Sequence, residues 1–129
     1  MLHHAPCLCG PRRLRPVTQV ADAAARHDPT GTGKGGPGYE FNNENLAGAK
    51  YTVGTVAMAN AGANTNGSQF FIVYKNSPLA PSYTPFGEVV KGLGIIQNVA
   101  KAGSDTANGS GDGHPKEKVV IESVTIKKT

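Results

Sequence analysis

The sequence predicts a mainly β fold with one amphipathic helix. Glycine (17 residues) and proline (9 residues) make up about a fifth of the 129 residues. That content argues against a helical bundle and favours short strands joined by tight turns. Several runs are rich in β-branched or aromatic residues, and one longer stretch has apolar residues at helical spacing. The length allows a single domain with one modest core.

Four segments are strand candidates: residues 51–59, 69–75, 86–90 and 118–127. The second reads QFFIVYK, which is apolar enough to predict burial on both faces of a sheet. Clusters of glycine, proline and asparagine separate the candidates and indicate loops. Because four strands close a barrel poorly, the sheet is expected to keep open edges.

The helix is predicted after the third strand. Leu93, Ile96, Val99 and Ala100 recur at the spacing of one helix face. Residues 17–26, which are rich in alanine, are a second and shorter helix candidate. An isolated helix of that length is marginal in water, and this one has few large apolar residues to dock it.

Composition changes abruptly near residue 28. Residues 1–27 contain all four arginines and one acidic residue, and they contain no aromatic residue and no serine. Residues 28–129 contain nine lysines and eight acidic residues and are therefore nearly neutral. The net charge of +4 thus resides mostly in the first segment. Nucleic-acid binding is not expected, because the remainder has no basic stripe with interleaved aromatic residues.

Other classes of protein are also disfavoured. No apolar run approaches the length of a membrane span, and no secretory signal pattern opens the sequence. Cys7 and Cys9 form a C-x-C pair, which cannot staple a secreted mini-domain. We therefore expect a cytoplasmic protein without a membrane association.

Two motifs match a cofactor or metal site by letter only. Gly31, Gly33 and Gly36 fit G-x-G-x-x-G, but no strand precedes them and no helix follows, as dinucleotide binding requires. A second cluster has zinc-binding atoms at a spacing that matches no structural site, namely His3, His4, Cys7 and Cys9. We therefore expect neither a cofactor nor a metal.

The sequence Asn66-Gly67-Ser68 reads as an Asn-Gly turn.

Residues 58–72, MANAGANTNGSQFFI, carry the most specific pattern. Small residues around Asn60 would leave the backbone open to a partner chain. Gln69 and Phe71 lie two apart on a strand and therefore project from the same face. A polar side chain beside an aromatic ring suits an extended peptide with one apolar ring. The alternative interpretation is that Phe70 and Phe71 are simply core residues.

This segment, followed by Leu79 and by residues 83–92 (YTPFGEVVKG), resembles the cyclophilin family of peptidyl-prolyl cis-trans isomerases. Residues 28–45 are similar to the bacterial branch of that family. The resemblance spans residues 28–126. It implies an antiparallel β-barrel of eight strands capped by two helices, with a proline pocket on its outer face. This chain would form an incomplete barrel of that kind.

The resemblance also implies site residues. Asn60, Gln69 and Phe71 are expected in catalytic positions, although the family's catalytic arginine is not among them. The expected substrate-binding residues are Gly33, Ala59, Asn60, Ala61, Gln69, Phe71, Leu79 and Tyr83. Pro78 stands where some members have tryptophan, so at most weak cyclosporin binding is expected. The implied partners are proline-containing peptides and unfolded proteins.

The first part of the family pattern is missing. By register, the catalytic arginine falls at Val17, the pocket phenylalanine at Asp22 and a second groove glutamine at Ala25. We therefore divide the chain into an unrelated segment, residues 1–27, and a partial cyclophilin-like domain, residues 28–129. The first segment is expected to be disordered or to derive from a frameshift or mis-called start. A transit peptide is the rival explanation.

The expected function is peptidyl-prolyl isomerisation in protein folding, as a rotamase and chaperone, with little activity in this chain. Rotation about an X-Pro bond is slow because amide resonance opposes it. The resemblance implies that the missing arginine is a hydrogen-bond donor to the reacting amide. Losing one such preorganised donor costs on the order of 3 kcal/mol of transition-state stabilisation. Two alternatives remain open, a non-catalytic module that binds proline peptides and a fragment without function.

Overall fold

The computed structural model describes residues 12–13, 23–24, 36–105, 115–117 and 119–128. These form one α-helix and six strands: β1 (Arg12–Arg13), β2 (Ala23–Ala24), β3 (Thr55–Met58), β4 (Phe70–Val73), β5 (Pro85–Glu88), α1 (Leu93–Ala102) and β6 (Val120–Ile121). One sheet has the order β2-β4-β3-β5, and β1 pairs with β6. All pairs are antiparallel. The predicted mainly β class with one helix is confirmed, and the sheet is not closed within the described ranges.

Strand β3 lies between β4 and β5 and organises the sheet. Ala57 is paired with Phe71 on β4, while on the other side the register shifts by a bulge between Val56 and Ala57. The observed strands are shorter than their candidate segments. In the described part of the last candidate, residues 119–127, only the two residues of β6 form a strand, because a run of β-branched residues forms a strand only where a partner edge is available.

The two faces of the sheet are not equally buried. Phe71 and Val73 are 2% and 0% exposed, whereas Phe70 and Ile72, which alternate with them along β4, are half-buried. The prediction that residues 69–75 are buried on both faces is therefore wrong. Along β4 one face is buried and the other is half-buried, as is common for antiparallel sheets.

The helix considered over residues 17–26 is wrong at the two positions that the structure describes. Ala23 is paired with Val73 and Ala24 with Ile72, so both extend the sheet at the free edge of β4. Alanine has little intrinsic preference for strands. The pairing therefore reflects the hydrogen-bonding groups that β4 offers rather than local propensity. The other predictions for residues 1–35, including Gly33 and the cysteine–histidine cluster, lie outside the described residues.

The predicted amphipathic helix is confirmed as α1. Its four periodic apolar residues are half-buried, and Ile95 is exposed on the opposite side. The helix begins after Gly92, whose φ of 87° is left-handed, and ends before Gly103, also at positive φ. Lys101 in the last turn complements the helix dipole. No helix among the described ranges has the length and apolarity to cross a membrane.

Two glycines at the start of α1 should respond oppositely to alanine. Gly94 lies inside the helix, and a Cβ there would meet nothing within 4 Å. Gly94→Ala should raise the free energy of unfolding by about 0.5–1 kcal/mol through helix propensity. Gly92→Ala should lower it by roughly 1 kcal/mol, because its φ of 87° is strained for alanine. Urea unfolding of both variants tests this, and equal signs would contradict it.

Candidate functional site

Three aromatic rings form the buried centre of the site. Phe71 and Tyr83 meet edge to face at a centroid distance of 5.4 Å, and Tyr51 lies 6.0 Å from Tyr83 and 6.4 Å from Phe71. Ala57 and Val73 complete the core beneath them. Because Ala57 is small, the sheet leaves room for the rings on this face. We call Tyr51, Phe71 and Tyr83 the aromatic cluster.

The Tyr51 hydroxyl is hydrogen-bonded to the backbone of the loop that follows β4. It donates to the backbone oxygen of Tyr83 at 2.7 Å and accepts from the backbone N–H of Tyr83 at 2.9 Å. Burial is the largest influence on this group and raises the pKa of Tyr51 above its usual value. The hydrogen bond from the Tyr83 N–H acts in the opposite direction but does not cancel the effect.

Tyr51 should make the stability of the protein sensitive to alkaline pH. Its raised pKa means that the folded state holds the phenolic proton more tightly than the unfolded state does. The stability that the protonated Tyr51 hydroxyl gives the folded state is therefore complete below about pH 10. It is lost as the pH rises further. Urea unfolding between about pH 8 and pH 11 should show a steeper loss for the native chain than for Tyr51→Phe. At neutral pH that variant should be roughly 1–3 kcal/mol less stable, because two backbone groups of Tyr83 lose their partner. Parallel pH profiles would refute this.

Asn60 lies where β3 ends and the next loop begins. Its Nδ2 donates to the backbone oxygen of Ser82 at 2.8 Å, and its Oδ1 accepts from the Gly62 N–H at 3.4 Å. Within the described ranges, the backbone N–H and C=O of Asn60 have no hydrogen-bond partner. The side chain therefore holds two loops together, and the backbone remains open to a ligand.

Asn66 also connects separate loops through its side chain, a role that the sequence did not indicate. We call this connection the Asn66 joint. The side chain is fully buried. Its Nδ2 donates to three oxygens, those of the Asn42 backbone at 3.1 Å, Asn43 Oδ1 at 3.0 Å and Thr84 Oγ1 at 3.3 Å. The backbone of Asn66 also exchanges hydrogen bonds with that of Phe41. The residue was expected in an Asn-Gly turn, and that expectation is wrong, because Asn66 forms an antiparallel bridge with Phe41.

The structure places most of the predicted site residues near one another. Ala59, Leu79 and Tyr83 are partly buried and pack against the core that contains Phe71. Gln69 is half-buried, and its backbone oxygen accepts from the Ala59 N–H at 2.9 Å. Ala61 is exposed in the loop, where its N–H donates to Thr65 Oγ1. Gly33 lies outside the described residues.

Phe71 is buried more deeply than expected of a residue that contacts substrate. Only 2% of it is exposed, so it forms the floor of the site under Tyr83. A ligand ring would meet Leu79 and Tyr83 first, since both are only partly covered. None of the predicted site residues carries a formal charge, so what the arrangement offers a ligand is apolar contact and hydrogen bonds.

A shallow groove of about 410 Å³ adjoins the site and is lined by residues 49–52 and 76–79. Tyr51 and Leu79 belong both to this groove and to the packing around the cluster. Ser77 connects the two sides of the groove through a backbone bond from its N–H to the Tyr51 oxygen. The groove thus continues the surface around Leu79.

Comparisons with known proteins point to one family. A sequence model described as cyclophilin type peptidyl-prolyl cis-trans isomerase/CLD matches residues 15–126. A probable peptidyl-prolyl cis-trans isomerase B of Mycobacterium tuberculosis is 46% identical over 112 residues, which cover 77% of this chain and 36% of the relative. Peptidyl-prolyl cis-trans isomerase A of the same species is 48% identical over 101 residues, covering 77% and 54%.

A solved structure supports the same relationship. The cyclophilin type isomerase of Cryptosporidium parvum superposes with a TM-score of 0.72 at 31% identity, covering 91% of this chain and 74% of that one. That protein has also been crystallised in the presence of the dipeptide Ala-Pro. The chain spans about a third to a half of the length of the mycobacterial relatives. With the family match over most of its residues, the chain belongs to the cyclophilin-type peptidyl-prolyl cis-trans isomerases.

Proposed function

We propose that this chain binds proline-containing peptides at the surface formed by Asn60, Leu79 and Tyr83 above Phe71. The observation that carries the proposal is the open backbone of Asn60 beside a partly covered apolar surface. An extended peptide can pair with the Asn60 N–H and C=O while its proline ring packs on Leu79 and Tyr83. Backbone pairing supplies affinity, and the apolar contact supplies selectivity for proline.

The proposed reaction is weak acceleration of rotation about the X-Pro bond. The barrier of about 18–20 kcal/mol comes from amide resonance, so catalysis requires groups that stabilise the twisted amide. In the family pattern the donor is an arginine, and its position falls at Val17 here. The absence of one preorganised donor should lower the rate by a factor of about 10²–10³. Gln69 and the backbone of Asn60 are the remaining polar groups that we assign to the reacting bond.

The wider role that fits this chemistry is assistance to the folding of newly made chains in the cytoplasm. Unfolded proteins would be the substrates, because the site contacts little beyond a proline and the residue before it. Cyclosporin should bind weakly at most, since Pro78 stands at the position of a tryptophan found in some members. Fractionation of native cells and titration with cyclosporin test these two parts of the proposal.

Binding and catalysis can be tested separately. A short Ala-Pro peptide titrated into labelled protein should shift the amide signals of Asn60 and its neighbours. Leu79→Ala should weaken binding by roughly five- to tenfold through lost apolar contact. Ile95→Ala is the matched control, because Ile95 is 68% exposed on α1. Equal affinities for the two variants would contradict the proposed surface.

A protease-coupled assay with a proline peptide then measures isomerisation. A slow but measurable acceleration that Leu79→Ala reduces would support a weakened isomerase. Binding without acceleration would favour a non-catalytic peptide-binding module, which the open Asn60 backbone also permits. A rate near that of a complete family member would refute the proposed loss of activity. Absence of binding by a folded chain would refute the proposed function altogether.

A further inference from the structure

The Asn66-Gly67 dipeptide combines a chemically labile sequence with a side chain that the fold needs. In an Asn-Gly sequence the glycine nitrogen attacks the asparagine side chain readily, because glycine has no side chain to obstruct it. A bond forms between Gly67 N and Asn66 Cγ, and Nδ2 leaves as ammonia. Water then opens the resulting succinimide to aspartate or isoaspartate. Water is the only co-reactant.

The folded structure opposes each part of this reaction. The leaving group, Nδ2 of Asn66, is held by three hydrogen bonds to oxygens of Asn42, Asn43 and Thr84. The backbone is restrained by the paired bonds with Phe41. Negative charge would develop on Asn66 Oδ1, and that buried atom has no donor among the described residues. The developing charge would therefore lack the hydrogen bonds that stabilise such a transition state.

The product cannot take the place of Asn66. An aspartate carboxylate has no N–H to donate, so Asn42 and Asn43 would lose their partner. The partners of the Asn66 side chain among the described residues are all uncharged, so the charge would be buried among neutral groups, which is strongly unfavourable. Isoaspartate would add a carbon to the backbone at the point where Asn66 pairs with Phe41. Either product should therefore prevent Asn42, Asn43 and Thr84 from regaining their hydrogen bonds to residue 66 on refolding.

We propose that Asn66 is a deamidation site which the fold protects and which makes prolonged unfolding irreversible. Native chains keep Asn66 intact. Chains that open at this joint lose the side-chain amide over time and can no longer refold. The dipeptide thus limits how long the chain can remain unfolded and still recover.

Mass spectrometry and refolding test this proposal together. The full chain is incubated in native buffer and in urea at mildly alkaline pH, and samples are refolded after increasing times. Deamidation at Asn66 should be about a hundredfold slower in native buffer, because only the open fraction reacts. The chain's other Asn-Gly sequence, Asn108-Gly109, serves as the chemical reference in urea, where both sites should react at similar rates. The refoldable fraction should fall in step with modification at Asn66.

Two alanine variants assign the effect to one site. A Cβ at Gly67 would lie 3.2 Å from Cδ of Pro37, which requires only a small shift of that ring. Gly67→Ala should therefore still fold, and its refoldable fraction should persist through the urea incubation. Gly109→Ala should lose refolding as the native chain does. The proposal is overturned if Asn66 reacts equally fast in both buffers, if modified chains refold, or if Gly67→Ala gives no protection.

Discussion

Replacing Phe71 by alanine is expected to lower the free energy of unfolding by about 3–5 kcal/mol, the largest effect of any single substitution considered for this chain. Phe71 is 2% exposed and has edge-to-face contact with Tyr83. Truncation would remove the floor of the aromatic cluster and leave a cavity that the rigid sheet cannot fill. Domains of this size are stable by only about 5–15 kcal/mol, so the variant should unfold at a clearly lower urea concentration than the native chain.

Phe86→Ala is the matched control for this prediction. Phe86 is 56% exposed, and its ring meets the Phe70 ring edge to face at a centroid distance of 6.3 Å. Its loss should cost only about 1 kcal/mol. Urea unfolding followed by circular dichroism measures both variants. Equal losses would mean that the face with Phe71 is not the core of the protein. Phe71→Leu, which keeps most of the volume, should recover part of the stability.

Asn66→Ala is expected to cost about 3 kcal/mol, an unusually large effect for a polar residue in a loop. The substitution removes the donor to three oxygens that join residues 42–43 to Thr84. Removal of Oδ1 offsets a little of this cost, because that buried atom has no donor in the described part of the chain. Peptide binding at the site should weaken as well, because Thr84 directly follows Tyr83.

The control for this second prediction is Asn98→Ala. Asn98 is exposed on α1, so its replacement should change stability by less than about 0.5 kcal/mol. Proline-peptide titrations of the Asn66 variant, under conditions where it remains folded, should show weaker binding than for Asn98→Ala. A loss below about 1 kcal/mol for Asn66→Ala would show that water replaces the amide at this joint.

Local sequence patterns determined several features directly. The spacing of Leu93, Ile96, Val99 and Ala100 predicted α1, because helix periodicity is a local property of the chain. Aromatic and β-branched runs predicted β4 and its neighbours for the same reason. The MANAGANTNGSQFFI segment indicated the family through its own residues. Pattern and composition thus fixed the class, the helix and the family.

Tertiary structure alone decided which residues hold the site together. The pattern of residues 69–75 could not distinguish Phe71 from Phe70, because burial depends on what covers each face of the sheet. Asn66 read as a turn residue, yet it lies fully buried among oxygens from distant segments. Tyr51 read as the start of a strand, yet its hydroxyl fastens Tyr83, 32 residues away.

Ala23 and Ala24 illustrate the same limit, since their strand pairing depends on the free edge of β4 rather than on alanine's own preference. The boundary that we predict at residue 28 remains a prediction from composition, and the family match begins earlier, at residue 15. The sequence by itself determined the family, the main elements and the identity of the proposed binding residues. The tertiary structure decided their depth and connections, because side-chain burial and long-range hydrogen bonds arise only when separate segments meet.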